Sequence, residues 1–232
     1  MRVVVMNFSG NVGKSTVAKY LLQPRIADAE MYSVESINAT ENEMAAQLRG
    51  EEFGDLMQKI LASTNAIVDV GASNIEAFML AMEDFIGSHE DYDYFVVPAV
   101  PDEKQIRDTI STIEALAKLG VPARKIRVVM NMVGRRMKPE KAFVSLFEYA
   151  KSDKAFTMYP GAVMHENELY TVIKRTNSSI EELVEDHNDL KAMLLEATDS
   201  NEQALITGRI AARRLALGVK AELDLTYKAL IN

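Results

Sequence analysis

Gly13, Lys14, Ser15 and Thr16 follow one another directly, and the run before them is Val3-Val4-Val5-Met6-Asn7. A lysine and a hydroxyl placed where a buried strand turns into a helix can grip a polyphosphate. Successive backbone N–H groups curl round its oxygens at the positive end of the helix. Lys14 then reaches the β- and γ-phosphates, the Ser15 hydroxyl ligates Mg²⁺, and Thr16 is placed to bond the α-phosphate. Glycines are needed where the chain passes close to phosphate or adopts positive φ. The usual pattern, G-x-x-x-x-G-K-[ST], puts its first glycine where this chain has Phe8. A lone Gly-Lys-Ser-Thr can arise by chance; a strand before it and a helix after it argue against chance.

The elements that must hold this loop alternate in kind. Residues 2–7 form a continuous apolar run rich in valine, the pattern of a strand buried on both faces of a parallel sheet. Residues 15–22 have helical spacing. Further strands are expected at 31–37, 66–70, 94–98, 126–132 and 155–159. Helices are expected at 41–49, 51–63, 74–86, 102–119 and 139–150, the fourth stopped by Gly120 and Pro122. Such alternation gives βαβ units, so the expected fold is a three-layer α/β/α domain with a mainly parallel sheet. From Glu166 onward the strands stop, and 180–197 and 204–231 read as helices. The last carries Ala212, Leu215, Val219, Leu223, Tyr227 and Leu230 at three- and four-residue spacing, a stripe suited to docking on a domain or a partner. The expected organisation is a nucleotide-binding core over 1–165 and a helical C-terminal extension over 166–232 packed on the same domain.

Composition narrows the classes. The chain of 232 residues is 48% apolar and 26% charged, sufficient for a substantial core. It has no cysteine, which excludes disulfides and thiolate metal sites. No apolar run approaches bilayer length and no signal-type apolar segment follows Met1-Arg2, so a cytoplasmic protein without a transmembrane segment is expected. A net charge of −8 argues against a surface that binds nucleic acid all over. The charge is uneven, however: residues 101–165 hold 12 Lys/Arg against 7 Asp/Glu. Over 124–141, Arg124, Lys125, Arg127, Arg135, Arg136, Lys138 and Lys141 face only Glu140. That run reads either as a solvated loop or as a DNA- or phosphate-facing patch.

Aligned on Lys14, "SGNVGKST" lies over "KGGVGKTT", the deviant Walker A loop of the ParA/MinD family, where the first glycine of the usual pattern is also dispensable. The chain resembles this family over residues 1–165. Asn7 precedes the loop as in many ParA proteins, and "SVES" lies where the family has D-x-D-P, with Glu35 over the second aspartate. "IVDVGAS" resembles the Walker B and switch II run, "YFVVPAVPDEKQIRDT" the V-P-x-x-P segment, "RVVMNMVG" the h-h-x-N-x-h strand, and "MYPGAVMHEN" the closing strand and its loop.

The resemblance implies an ATP-dependent switch using ATP and Mg²⁺, with ADP as product, that forms a nucleotide-sandwich homodimer. It implies DNA cargo, reached through a DNA-binding adaptor or directly through 124–141. The nucleotide loop would comprise Ser9, Gly10, Asn11, Val12, Gly13, Lys14, Ser15 and Thr16, with Lys14 also catalytic. Asp69 would join Ser15 at the metal, Glu35 would orient the attacking water, and Asn131 would address adenine. Each of these last three has a plainer reading: a turn-capping Asp, an exposed Glu and a turn-forming Asn. Two departures stand out. Asn11 replaces the second glycine, and Ser9 replaces the family's lysine that crosses the dimer to the partner's phosphates. A serine supplies no such charge, so either Arg135, Arg136 or Lys138 takes that part or hydrolysis is slow. A small-molecule kinase of the dethiobiotin-synthetase type and a non-hydrolysing scaffold are the alternatives on the same loop. Either would leave the oligomeric state unchanged by nucleotide.

Overall fold

A computed structural model of the chain describes residues 1–34 and 50–231. The chain divides into two units, Met1–His165 with Thr226–Asn232, and Glu166–Leu225.

The first unit begins with β1 (Arg2–Val5), where three consecutive valines are fully buried. The loop after it leads to α1 (Lys14–Thr16), which continues as a π-helix over Val17–Leu22 and a 3₁₀ turn over Gln23–Arg25. Then come β2 (Glu30–Val34), α2 (Gly50–Ala62), β3 (Ala66–Val70), α3 (Ile75–Asp84), β4 (Tyr94–Ala99) and α4 (Glu103–Lys118). β5 (Ile126–Val133), α5 (Pro139–Ala142), α6 (Val144–Ser152) and β6 (Val163–His165) complete the set. The six strands lie in the order β2-β3-β1-β4-β5-β6, and every pairing is parallel.

Strand residues of both parities are buried. Val4, Val68, Phe95 and Val128 join a core completed by Phe53 and Ile60 of α2, Phe78 of α3 and Ile113 and Leu116 of α4. The alternate set, Val3, Val5, Ile67 and Val96, is equally inaccessible. Successive strand side chains point to opposite faces, so both faces of the sheet are covered. This is the α/β/α layering of the P-loop NTPase fold, as the alternation of strands and helices implies.

β1 lies between β3 and β4, with Val5 opposite Asp69 on one side and Val96 on the other. The chain therefore crosses over β1 in passing from β3 to β4. In open α/β sheets such a reversal of winding leaves a crevice at the carboxyl ends of the strands. The loop after β1 and the end of β3 both lie at that edge.

Two of the elements expected in this unit differ. The strand expected at 155–159 makes only the single bridge between Thr157 and Arg127, and the closing strand is β6, at Val163–His165. Pro160 has no N–H for a ladder, and Ala162 N donates to Tyr159 O, closing a turn before pairing resumes. The helix expected over 139–150 is broken at Phe143 (φ −119°, ψ 35°), whose ring is fully buried. The expected helix at 41–49 lies outside the described residues.

The second unit contains α7 (Leu169–Thr176), α8 (Ile180–Val184), α9 (Leu190–Glu196) and α10 (Ser200–Ile231) as far as Leu225. Residues 180–197 make two helices. Ser179 and Glu182 form a reciprocal cap at the start of α8. Asn188 N and Nδ2 then donate to Asp186 Oδ1, and Asp189 caps α9 through Ala192 N at 3.0 Å. Asp and Asn side chains here take over backbone bonding and end the helix. Leu190, Ala197 and Ile206 form this unit's own small core.

Candidate functional site

Asn7, fully buried just past β1, organises the loop from beneath. Its Oδ1 accepts from Ser9 N at 2.8 Å, and its Nδ2 donates to Pro98 O and to Thr109 Oγ1, both at 2.8 Å. Phe8 N donates to Thr112 Oγ1 at 3.0 Å, and Gln105 Nε2 donates to Gly10 O at 3.0 Å. Gln105, Thr109 and Thr112 are spaced by four and three residues, which places them on one face of α4. Asp102 caps that helix by accepting from Gln105 N. At the far side of the loop, Asn131 Nδ2 donates to Val12 O at 2.9 Å, and Val17 N donates to Gly13 O at 2.9 Å.

The carbonyls of Ser9, Gly10, Val12 and Gly13 are thus all held by groups around the loop. Among the described residues, none of the N–H groups of Gly10, Asn11, Val12 and Gly13 donates to a backbone carbonyl. Backbone sterics agree with this arrangement. Asn11 has φ 57° and Gly13 φ 83°, left-handed values that suit asparagine and glycine. A Cβ at Gly13 would in addition collide with the Asn131 amide nitrogen. Asn11 in place of a second glycine is accommodated because asparagine tolerates this region.

Lys14 is buried and its Nζ donates to Asn7 O at 3.1 Å and Ser9 O at 2.8 Å. Burial holds its pKa below the ordinary value, and the nearby Asp69 charge partly offsets that shift. Asp69 is itself buried, at the carboxyl end of β3. Ser15 is exposed and Thr16 half-buried at the start of the helix. The structure therefore brings together the loop, Lys14, Ser15, Thr16, Asp69 and Asn131. Glu35 lies outside the described residues. ATP and Mg²⁺ fit this donor set: unengaged amides and a lysine for phosphate oxygens, a hydroxyl and a carboxylate for a hard cation.

Gln105, Thr109 and Thr112 are site residues that reading the sequence does not single out. Their signal is a polar triplet at helical spacing, with Thr109 and Thr112 fully buried on an otherwise apolar inner face. The basic run 124–141 also changes in character. Arg127 is buried with its guanidinium 4.8 Å from the Tyr94 ring centroid and 4.5 Å from that of Tyr159. Lys125 Nζ donates to the carbonyls of Glu90 and Tyr92. Arg135, Arg136 and Lys138 remain exposed on the loop after β5.

No family model and no curated protein matches the chain. Solved structures do. The MinD cell division protein of Aquifex aeolicus aligns with a TM-score of 0.53 and 15% identity, over 94% of this chain and 97% of that one. The MinC:MinD cell division protein complex from the same organism aligns at 0.51 and 16%, over 94% and 95%. Apo McdA of Cyanothece aligns at 0.51 and 14%, over 91% and 98%. The likeness at these identities is one of fold.

Proposed function

We propose that this chain is an ATP-binding switch of the ParA/MinD kind, hydrolysing ATP slowly and cycling between nucleotide-dependent assembly states. The observation that carries the reading is the orientation of the loop after β1. Its carbonyls are held by Gln105, Asn131 and Lys14, its amides face no backbone acceptor among the described residues, and a buried lysine stands at its centre. Such a loop is preorganised for phosphate.

Lys14 would exchange the Asn7 and Ser9 carbonyls for phosphate oxygens. Ser15 and Asp69 would hold Mg²⁺, which supplies neutralising charge at the β- and γ-phosphates. Glu35 is proposed to orient the attacking water, and Asn131 to address adenine with the groups that Val12 does not use. Ser9 supports slow turnover: its side chain is uncharged and buried, so this position offers nothing to a partner's phosphates. By its overall resemblance, the chain is proposed to play a role like that of StbB, in plasmid stability, positioning or conjugative transfer, in the cytoplasm. The homodimer would reach DNA through an adaptor or through the exposed cations at 135–138.

Light scattering tests this on wild type and Lys14→Ala with no nucleotide, ADP-Mg²⁺ and ATP-Mg²⁺. The expected outcome is a doubling of mass with ATP in wild type alone. A mass unchanged throughout sinks the switch and brings forward the kinase or scaffold.

A further inference from the structure

The unit Glu166–Leu225 has a groove of about 280 Å³ between α9 and α10 that plays no part in nucleotide chemistry. Leu190, Ile210 and Leu217 supply apolar lining, and Lys191, Arg213 and Arg214 supply cations. Leu217 is 49% exposed, so its side chain is open to a ligand in the groove. Arg213 Nε is buried and has no hydrogen-bond partner among the described residues. The nearby acids are already engaged. Asp189, the one acid in the lining, caps α9 through Ala192 N, and Asp186 pairs with Arg209 at 2.8 Å. Among the described residues, Lys191, Arg213 and Arg214 make no ion pair.

We propose that this groove binds a short acidic segment of a partner protein. One apolar side chain of that segment sits on Leu190, Ile210 and Leu217, and its carboxylates meet Lys191, Arg213 and Arg214. Charge decides the occupant. Residues 166–225 hold seven Lys/Arg against twelve Asp/Glu, so the cations form a small spot in an acidic unit. An extended polyanion such as DNA meets repulsion beyond the spot, whereas a short peptide does not. The exposed Lys191 and Arg214, with Arg213 between them and the apolar side chains, suit carboxylates, and the apolar lining gives such a peptide an anchor.

The test uses the full chain and fluorescence anisotropy with labelled probes. These are a short Glu/Asp-rich peptide with a central Leu or Phe, the same peptide with Ser at that position, a Lys-rich peptide, duplex DNA, and phosphatidylserine vesicles. The expected result is binding of the acidic apolar peptide alone, weakened by salt. The exposed pair Lys191→Glu/Arg214→Glu should weaken it by about tenfold or more, given two reversed ion contacts. Leu217→Ser should weaken it without altering the salt dependence. Circular dichroism checks that both variants stay folded. Failure of the acidic apolar peptide to bind, binding indifferent to the charge reversal, or DNA or vesicle binding lost with those same residues would each overturn the proposal. None of these readouts depends on the nucleotide loop.

Discussion

Lys14 is stored as a buried cation on two carbonyls, and burial lowers its pKa from the ordinary 10.5. The protonated form is thus disfavoured in the fold. That cost is present below the lowered folded-state value and is relieved as pH rises from there towards 10.5. Phosphate binding needs the charged form, so the sign reverses for ligand. ATP affinity should fall on the alkaline side at a pH below that at which an exposed lysine discharges. Calorimetric titrations across alkaline pH check this, and an affinity flat up to 10.5 contradicts it. Asn131 invites a second measurement. Its amide N–H holds Val12 O, so Asn131→Ala leaves a buried acceptor unmatched at a cost of about 1–3 kcal/mol, read by denaturant unfolding. Its remaining groups are proposed to address adenine, so the same variant should also lose ATP-over-GTP preference. At this scale Asp69 and Asn131 were marked by the resemblance rather than by a pattern of their own, and the structure sets both beside the loop, with Asn7 beneath it. Gln105, Thr109 and Thr112 were not marked, because a threonine on a helix face gives no sign of which loop it meets.

Among the elements, α4 matters most to the loop although none of its residues belongs to the nucleotide motif. Thr112→Val keeps the shape but removes the acceptor for Phe8 N, at about 1–3 kcal/mol. Nucleotide affinity should drop as well, because the loop loses the acceptor that holds the Phe8 amide. An unchanged affinity with reduced stability would show that α4 packs without positioning. The buried strands could be read from their apolar runs, and 66–70 matches β3 to the residue. Boundaries failed where tertiary packing overrode local pattern. Phe143 is drawn out of helical geometry into the core, and Pro160 moves the closing strand to Val163–His165. The π-helical form of Val17–Leu22 was equally hidden, since its residue types suit an ordinary helix.

At the scale of the molecule, the end of α10 from Thr226 onward belongs to the first unit, whereas α10 up to Leu225 belongs to the second. Thr226 Oγ1 donates to Val163 O beside β6, and Leu230 is fully buried. Deleting 226–232 should therefore lower the melting temperature of the first unit, and a melting curve unaffected by the deletion would contradict that assignment. The apolar stripe along α10 was readable, but not which unit its end would join, because periodicity reports a face and not what covers it. The central place of β1 has a consequence in time. Val5 must pair with Asp69 and with Val96, and the loop beyond it rests on Thr109 and Thr112. A chain emerging from the ribosome presents the Gly-Lys-Ser-Thr sequence well before α4, and the cradle cannot assemble until α4 has been synthesised. Parallel pairing over such separations is slow to close. A ligand that binds only the completed cradle, as nucleotide is proposed to, would then act as a late clamp that draws the nascent chain into its native state by mass action.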